Sequence, residues 1–270
     1  MAEVVTVKGE ELQVLSDLVA APITGQTWLR QANAFTEAGY KISIYGKRIL
    51  WLCLSEVKGD ESHPGVFTVT AQDYFNAFGK DRSSAAKDFK RGIESLLKSG
   101  GVKFRLSPGK YEGEYLPWFK RVGFLKEGTA EASYFLEFNP LLWRRIVEVG
   151  DCFTRLDFVE VDPITSAKQA NLYELCRQNA YRGGFEILLE DLVMGCGLNK
   201  SEASNAAELK RRFLEPAKAT FKEINSPLKI NYTKTKDGYK FTIFDTAKME
   251  KANTDGLPVE PVEETEEDAA

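Results

Sequence analysis

Two stretches of this chain can be laid on one another without a gap: FTVTAQDYFNAFG at 67–79 and FEILLEDLVMGCG at 185–197. Phe67 meets Phe185, Asp73 meets Asp191 and Gly79 meets Gly197. After a two-residue insertion the match resumes, with Leu209, Lys210 and Arg211 on Phe89, Lys90 and Arg91. An internal match that runs through consecutive elements asks for the same supersecondary unit twice in one chain.

Each copy reads in the same order. In the first, YGKRILWLCLSEV (45–57) carries apolar residues at helical spacing. Val66–Val69 reads as a short strand, Thr70 as the N-cap of a helix over Ala71–Phe78, and Gly79 as its stop. Ser83 or Ser84 caps a second helix that Gly100 and Gly101 end, and strands follow at 102–106, 118–125 and 133–138. In the second copy, AKQANLYELCRQNAY (167–181) is the leading helix, with Leu172, Tyr173, Leu175 and Cys176 inward. LKINY (228–232) and YKFTIF (239–244) are strands joined through the KDG turn at 236–238. Helix, strand, helix, turn, helix, strands is the order of a winged helix. The expected fold is therefore α+β, two tandem winged-helix domains related by duplication. The expected division is a partly ordered segment at 1–27, domains at 28–150 and 151–246, and a disordered acidic tail at 247–270.

Composition narrows the function. His63 is the single histidine, so multi-histidine metal sites are excluded and a histidine-based nucleophile would have to work from a loop. Cys53, Cys152, Cys176 and Cys196 are widely spaced with no CxxC pair, which suits buried reduced thiols and not zinc. No phosphate-binding GxxxxGK[ST] loop is present, and no apolar run is long enough to span a membrane. The acidic, mixed N-terminus is no secretory signal, so a cytoplasmic protein is expected. Neither a catalytic set nor a metal or cofactor is expected.

Charge is unevenly spread. The formal net charge is −4, yet residues 255–270 hold seven acids and no base, and without them the balance becomes +3. Residues 80–126 carry twelve Lys or Arg against five acids, and residues 205–241 nine against four. Two basic islands in an acid-diluted chain are the expected footprint of a double-stranded DNA binder; the alternative reading is two solvated basic faces.

The islands fall on the second helix of each unit. On an unbroken helical wheel begun at Leu209, the residues Phe213, Pro216, Ala217, Thr220 and Ile224 share the inward sector. Arg211, Lys218 and Lys222 point away from it, Arg212 lies on a flank and Lys210 at the edge. In the first unit Phe89, Ile93, Leu96 and Leu97 turn inward, Lys87, Arg91 and Lys98 outward, with Lys90 at the edge. A helix-turn-helix lays its second helix in the major groove, where a guanidinium can donate twice to guanine. Arg211 and Arg212 are the expected base-contacting pair, supported by Asn205 and Glu208, with Lys200 and Lys218 at phosphates.

These residues carry a family resemblance. LKRRFLEPAKATFKEIN followed by LKINYTKTKDGYKFTIF resembles the C-terminal half of the Rep_3-type iteron-binding plasmid replication initiators. ANLYELCRQN (170–179), QANAFTEAGYKISIYGKRILWLCLSEV (31–57) and FTVTAQDYFNAFG are similar to further segments of that family, in the family's order. The resemblance implies a tandem winged-helix initiator of a bacterial plasmid. Such a protein binds direct repeats at an origin as a monomer, promotes opening and recruits the host initiator and replicative helicase. It also represses its own gene as a dimer on an operator. The resemblance puts Lys210, Arg211 and Arg212 in the major groove, and Lys80, Arg82, Lys87, Lys90 and Arg91 at or near phosphates. It gives base readout to the C-terminal domain and backbone contact and dimerisation to the N-terminal one. Two other readings stand beside it: a tandem winged-helix transcriptional regulator without origin function, and a strand-nicking enzyme, which the single histidine disfavours. The acidic tail has no counterpart in the family pattern.

Overall fold

The computed structural model describes residues 28–57, 63–79, 81–105, 113–126, 129, 131–147, 153–199, 201–224 and 227–245. The expectations for 1–27 and 247–270, for Cys152, and for Lys80 and Lys200 lie outside them.

Both units form. In the first, α2 (Ile44–Ser55) leads, β2 (Val66–Thr70) follows, and α3 (Ala71–Phe78) and α4 (Arg82–Ser99) make the helix-turn-helix. Strands β3 (Gly101–Arg105), β4 (Gly113–Pro117), β5 (Phe119–Leu125) and β6 (Ser133–Phe138) come next. In the second, α7 (Ala167–Asn179) leads, then β8 (Gly184–Leu188), α8 (Leu189–Gly195), a long interrupted helix over 206–223, and the hairpin β9 (Leu228–Lys234) and β10 (Gly238–Asp245). The duplication extends to strand order. One sheet runs β2-β6-β5 and the other β8-β10-β9, so each strand that feeds a helix-turn-helix pairs with the last strand of its own unit. The β3–β4 hairpin is an addition to the first copy.

Local chemistry explains the helix starts. Thr70 accepts from the Asp73 amide while Asp73 accepts from the Thr70 amide, a complete capping box. Its counterpart in the second unit, Leu188, caps α8 without a side-chain bond. The cap of α4 is Asp81, and not Ser83 or Ser84 as the sequence suggested: Asp81 Oδ1 accepts from the Ser84 amide at 2.9 Å. The two aligned glycines also differ. Gly197 sits at φ +66°, left-handed backbone that glycine adopts without strain, whereas Gly79 is extended. Gly92 lets α4 press on α2: a Cβ there would stand 2.8 Å from the Tyr45 carbonyl oxygen.

Elements that the sequence reading did not contain join the two units. β1 (Trp28–Ala32) pairs with β7 (Phe153–Asp157) in antiparallel register, and α1 (Asn33–Thr36), α5 (Pro140–Val147) and α6 (Phe158–Val161) pack around them. His63 is structural here: its ring stacks on Phe67 at 4.5 Å, and its carbonyl accepts from Trp143 Nε1 at 2.7 Å. Cys53, Cys176 and Cys196 are buried free thiols.

One continuous core runs through both units and includes Phe89, Trp118, Tyr173, Phe221 and Phe241. At its centre is a buried polar cluster between α2 and α7. Lys47 Nζ donates to Tyr40 Oη (2.5 Å), to Glu174 Oε2 (2.7 Å) and to Asn171 Oδ1. Trp51 Nε1 donates to Glu174 Oε1 at 2.9 Å. All three ammonium protons therefore have acceptors. Burial lowers the Lys47 pKa, and the Glu174 carboxylate opposes that shift. Burial pushes the Tyr40 phenol up.

Candidate nucleic-acid interface

The helix that bears the second basic island is three pieces in one rod. It starts as α9 (Ala206–Leu209), where Asn205 Oδ1 accepts from the Glu208 amide at 2.9 Å. Residues Lys210–Leu214 then form a π turn, closed by the Glu215 amide donating to the Lys210 carbonyl five residues back. The rod continues as α10 (Glu215–Glu223). The turn sits where Pro216 demands it. Proline has no N–H to donate, and in a regular helix its ring collides with the carbonyl four residues earlier. Widening the preceding turn removes that collision.

The π turn corrects the sequence reading. It adds one residue to the rod's circumference, so the buried stripe shifts register at Leu214. Leu209 and Phe213 are buried before the shift, and Leu214, Ala217, Phe221 and Ile224 after it. Pro216, expected inward, is exposed, and Thr220 is half-buried. Phe221, which the unbroken wheel left outside the buried set, is fully buried against Tyr173 in an edge-on contact at 5.2 Å.

Lys210, Arg211 and Arg212 stay on the outside of the rod. Arg211 donates to Glu208 through Nε (3.3 Å) and Nη2 (3.0 Å), and Arg212 Nε pairs with the same carboxylate. The guanidiniums nevertheless remain open to solvent, with side-chain exposures of 65% and 47%. Hydrogen bonding from Arg211, then the charges of Arg211 and Arg212, hold the Glu208 carboxyl below its usual range. Asn205, Glu208 and the three cations thus share one end of the rod, and Lys218 is half-buried further along it. Lys229 Nζ donates to the Phe221 and Lys222 carbonyls at 3.0 and 3.3 Å, stabilising the carbonyl end of α10. Tyr232 of the hairpin donates to Glu215, which ties the wing to the rod. Burial, with Glu215 second, pushes the Tyr232 phenol up.

In the first unit the α4 wheel holds. Phe89, Ile93 and Leu96 are buried, Arg82, Lys87, Arg91 and Lys98 are exposed, and Lys90 lies at the edge. Among the described residues Arg91 meets Asp88 at 3.3 Å and the Tyr45 ring at 6.0 Å, Lys90 meets Glu94 at 3.9 Å, and Arg82 meets the Phe75 ring at 5.8 Å. Exposed pairs of this type contribute about 0–1 kcal/mol. The backbone and hydroxyls of Ser84, with Ser83, draw the Asp81 pKa down to about 2.

Three cations absent from the sequence-derived set are exposed on the wing: Lys234, Lys236 and Lys240. The basic balance of 205–241 contained them, but no helical pattern singled them out. Among the described residues no three His, Cys, Asp or Glu side chains form a metal-ligand group, and no helix is long and apolar enough to cross a membrane.

Comparison with known proteins matches both halves. The family model described as Initiator Replication protein, WH1 covers residues 28–177, and that described as Initiator Rep protein, WH2 covers 189–245. An uncharacterized 27.6 kDa protein of Escherichia coli is 32% identical over 234 residues, spanning 80% of this chain and 94% of that protein. The crystal structure of Pi initiator protein in complex with iteron DNA shares the fold, with a TM-score of 0.62 at 18% identity over 83% of this chain and 99% of the other.

Proposed function

The chain belongs to the Initiator Replication protein family, both winged-helix modules included, and from that premise we propose that it starts plasmid replication by binding direct repeats at an origin. The observation that carries this reading is the pairing of two winged helices, each with an exposed cationic second helix, in one chain of this family. A relative of the same fold was solved with iteron DNA bound, which supports the same ligand for this chain.

In this reading Arg211 and Arg212 leave Glu208 and donate to base edges in the major groove, with Lys210 beside them and Asn205 and Glu208 at the rod's leading end. Glu208, once released, can accept from a cytosine amine. Lys218 and the α4 cations Arg82, Lys87, Lys90 and Arg91 neutralise phosphates and fix register, with Lys80 and Lys200 assigned to the same task. Base readout belongs to 151–246, and backbone contact and self-association to 28–150. A monomer on direct repeats would open the origin and recruit the host initiator and replicative helicase in the bacterial cytoplasm. A dimer would repress the protein's own gene.

Footprinting on the DNA flanking the gene tests the reading. Several protected direct repeats at regular spacing are expected. A lone protected palindrome would instead make the protein a transcriptional regulator without origin function.

A further inference from the structure

The structure assigns a second occupant to the cationic outer face of the α9–α10 rod: we propose that the chain's own acidic run, residues 255–268, docks there and competes with DNA. This rests on the reading that the same face binds DNA.

Placement comes first. The last residue of β10, Asp245, pairs with Leu228, which follows the carbonyl end of α10 by a short connection. The acidic segment is therefore tethered at one end of the rod. Residues 246–254 can span about 30 Å when extended. The rod from Ala206 to Glu223 is about 27 Å long at 1.5 Å per residue. The tether thus reaches Lys222 and Lys218 and extends as far as Lys210, Arg211 and Arg212.

Charge comes second. Residues 205–241 have a surplus of five cations, and residues 255–270 present seven acids without a base. Carboxylate matches the guanidinium fork much as phosphate does. Arg211 and Arg212 already accept such a partner, since both close on the Glu208 carboxylate. One carboxylate shared by two guanidiniums leaves most of their ten N–H donors available. The rod's other acids do not fill that demand: Glu215 is engaged by Tyr232, and Glu223 lies at the far end.

Docking within one chain takes place at the high effective concentration a short tether gives. It weakens binding to every duplex by the same factor. Sites that offer only phosphates then fall below useful affinity, while repeats that also offer base edges stay occupied.

The test uses the full chain and a full chain with Glu260, Glu263, Glu264, Glu266 and Glu267 each changed to Gln. Carbodiimide cross-linking with peptide mapping is expected to join the glutamates of 260–267 to Lys210, Lys218 or Lys222, and excess random duplex should abolish those links. The substituted chain should bind random duplex about tenfold more tightly. Absent links, links to Lys87, Lys90 and Lys98 in equal yield, or an unchanged affinity would each overturn the proposal. Arg211→Ala separates the two ideas. If it weakens repeat binding while no links form, only the tail contact fails. If links form but repeat binding ignores Arg211, the DNA reading fails, and the competition with it.

Discussion

At the residue scale, two guanidiniums share one carboxylate and remain exposed. Exchange of Glu208 for a duplex costs little, because an exposed i,i+3 or i,i+4 pair is worth at most about 1 kcal/mol. Arg and Lys then separate by function. In the proposed reading Lys218→Ala removes one phosphate contact: affinity for all duplexes should fall together, and a salt titration should show the slope of log K against log salt shrink by about 1. Asp81 makes a different prediction. Its folded pKa of about 2 lies below the ordinary 3.8, so its contribution to stability is complete above the ordinary value and disappears as pH falls from about 4 to about 2. Thermal melts of Asp81→Ala should show a lower Tm at pH 7 and a smaller loss between pH 4 and pH 2 than the parent. The sequence pointed to Ser83 or Ser84; Asp81 lies just upstream of them, and backbone geometry selects it instead.

At the element scale, the first helix-turn-helix was legible because apolar spacing and terminal glycines agree over Ala71–Phe78 and over Arg82–Ser99, with the Thr70 cap also visible. The rod over 206–223 was legible as a helix but not in its facing. A wheel assumes constant pitch, and Pro216 breaks that assumption. The register shift predicts which side chains carry the packing. Phe221→Ala should cost about 3–5 kcal/mol in chemical denaturation, as removal of a buried aromatic does. Thr220→Ala, which loses one 3.4 Å contact with Gln169, should cost under about 1 kcal/mol. An unbroken helix would bring the two values together. The cations keep their outward placement because they lie within the wide turn itself, whereas the stripe behind them is displaced.

At the scale of the whole molecule, the least legible features are those that join the units. β1 and β7 lie far apart in sequence, with the whole first winged helix between them, so no single hairpin turn marks their pairing. Lys47 sits in an apolar helix and finds Glu174 across 127 positions of sequence. Neither a buried lysine nor its partner can be read from spacing. The pair predicts strong coupling between α2 and α7. Lys47→Met leaves the Glu174 carboxylate buried without its cation and should cost about 3–5 kcal/mol in denaturant unfolding, whereas adding Glu174→Gln should recover part of that loss. The duplication, the basic islands and the family-like segments were all visible in the sequence. The continuous core that makes both winged helices one body was not.

The central claim is that the α9–α10 rod reads base edges through Arg211. Guanine N7 methylation interference on a footprinted repeat tests it most directly, because the added methyl blocks the major-groove acceptor an arginine uses. The account predicts that methylation at one or two guanines per repeat abolishes binding by the parent protein, and that Arg211→Ala binds about 1–3 kcal/mol more weakly and no longer senses those positions. Interference identical in the parent and the variant would contradict it.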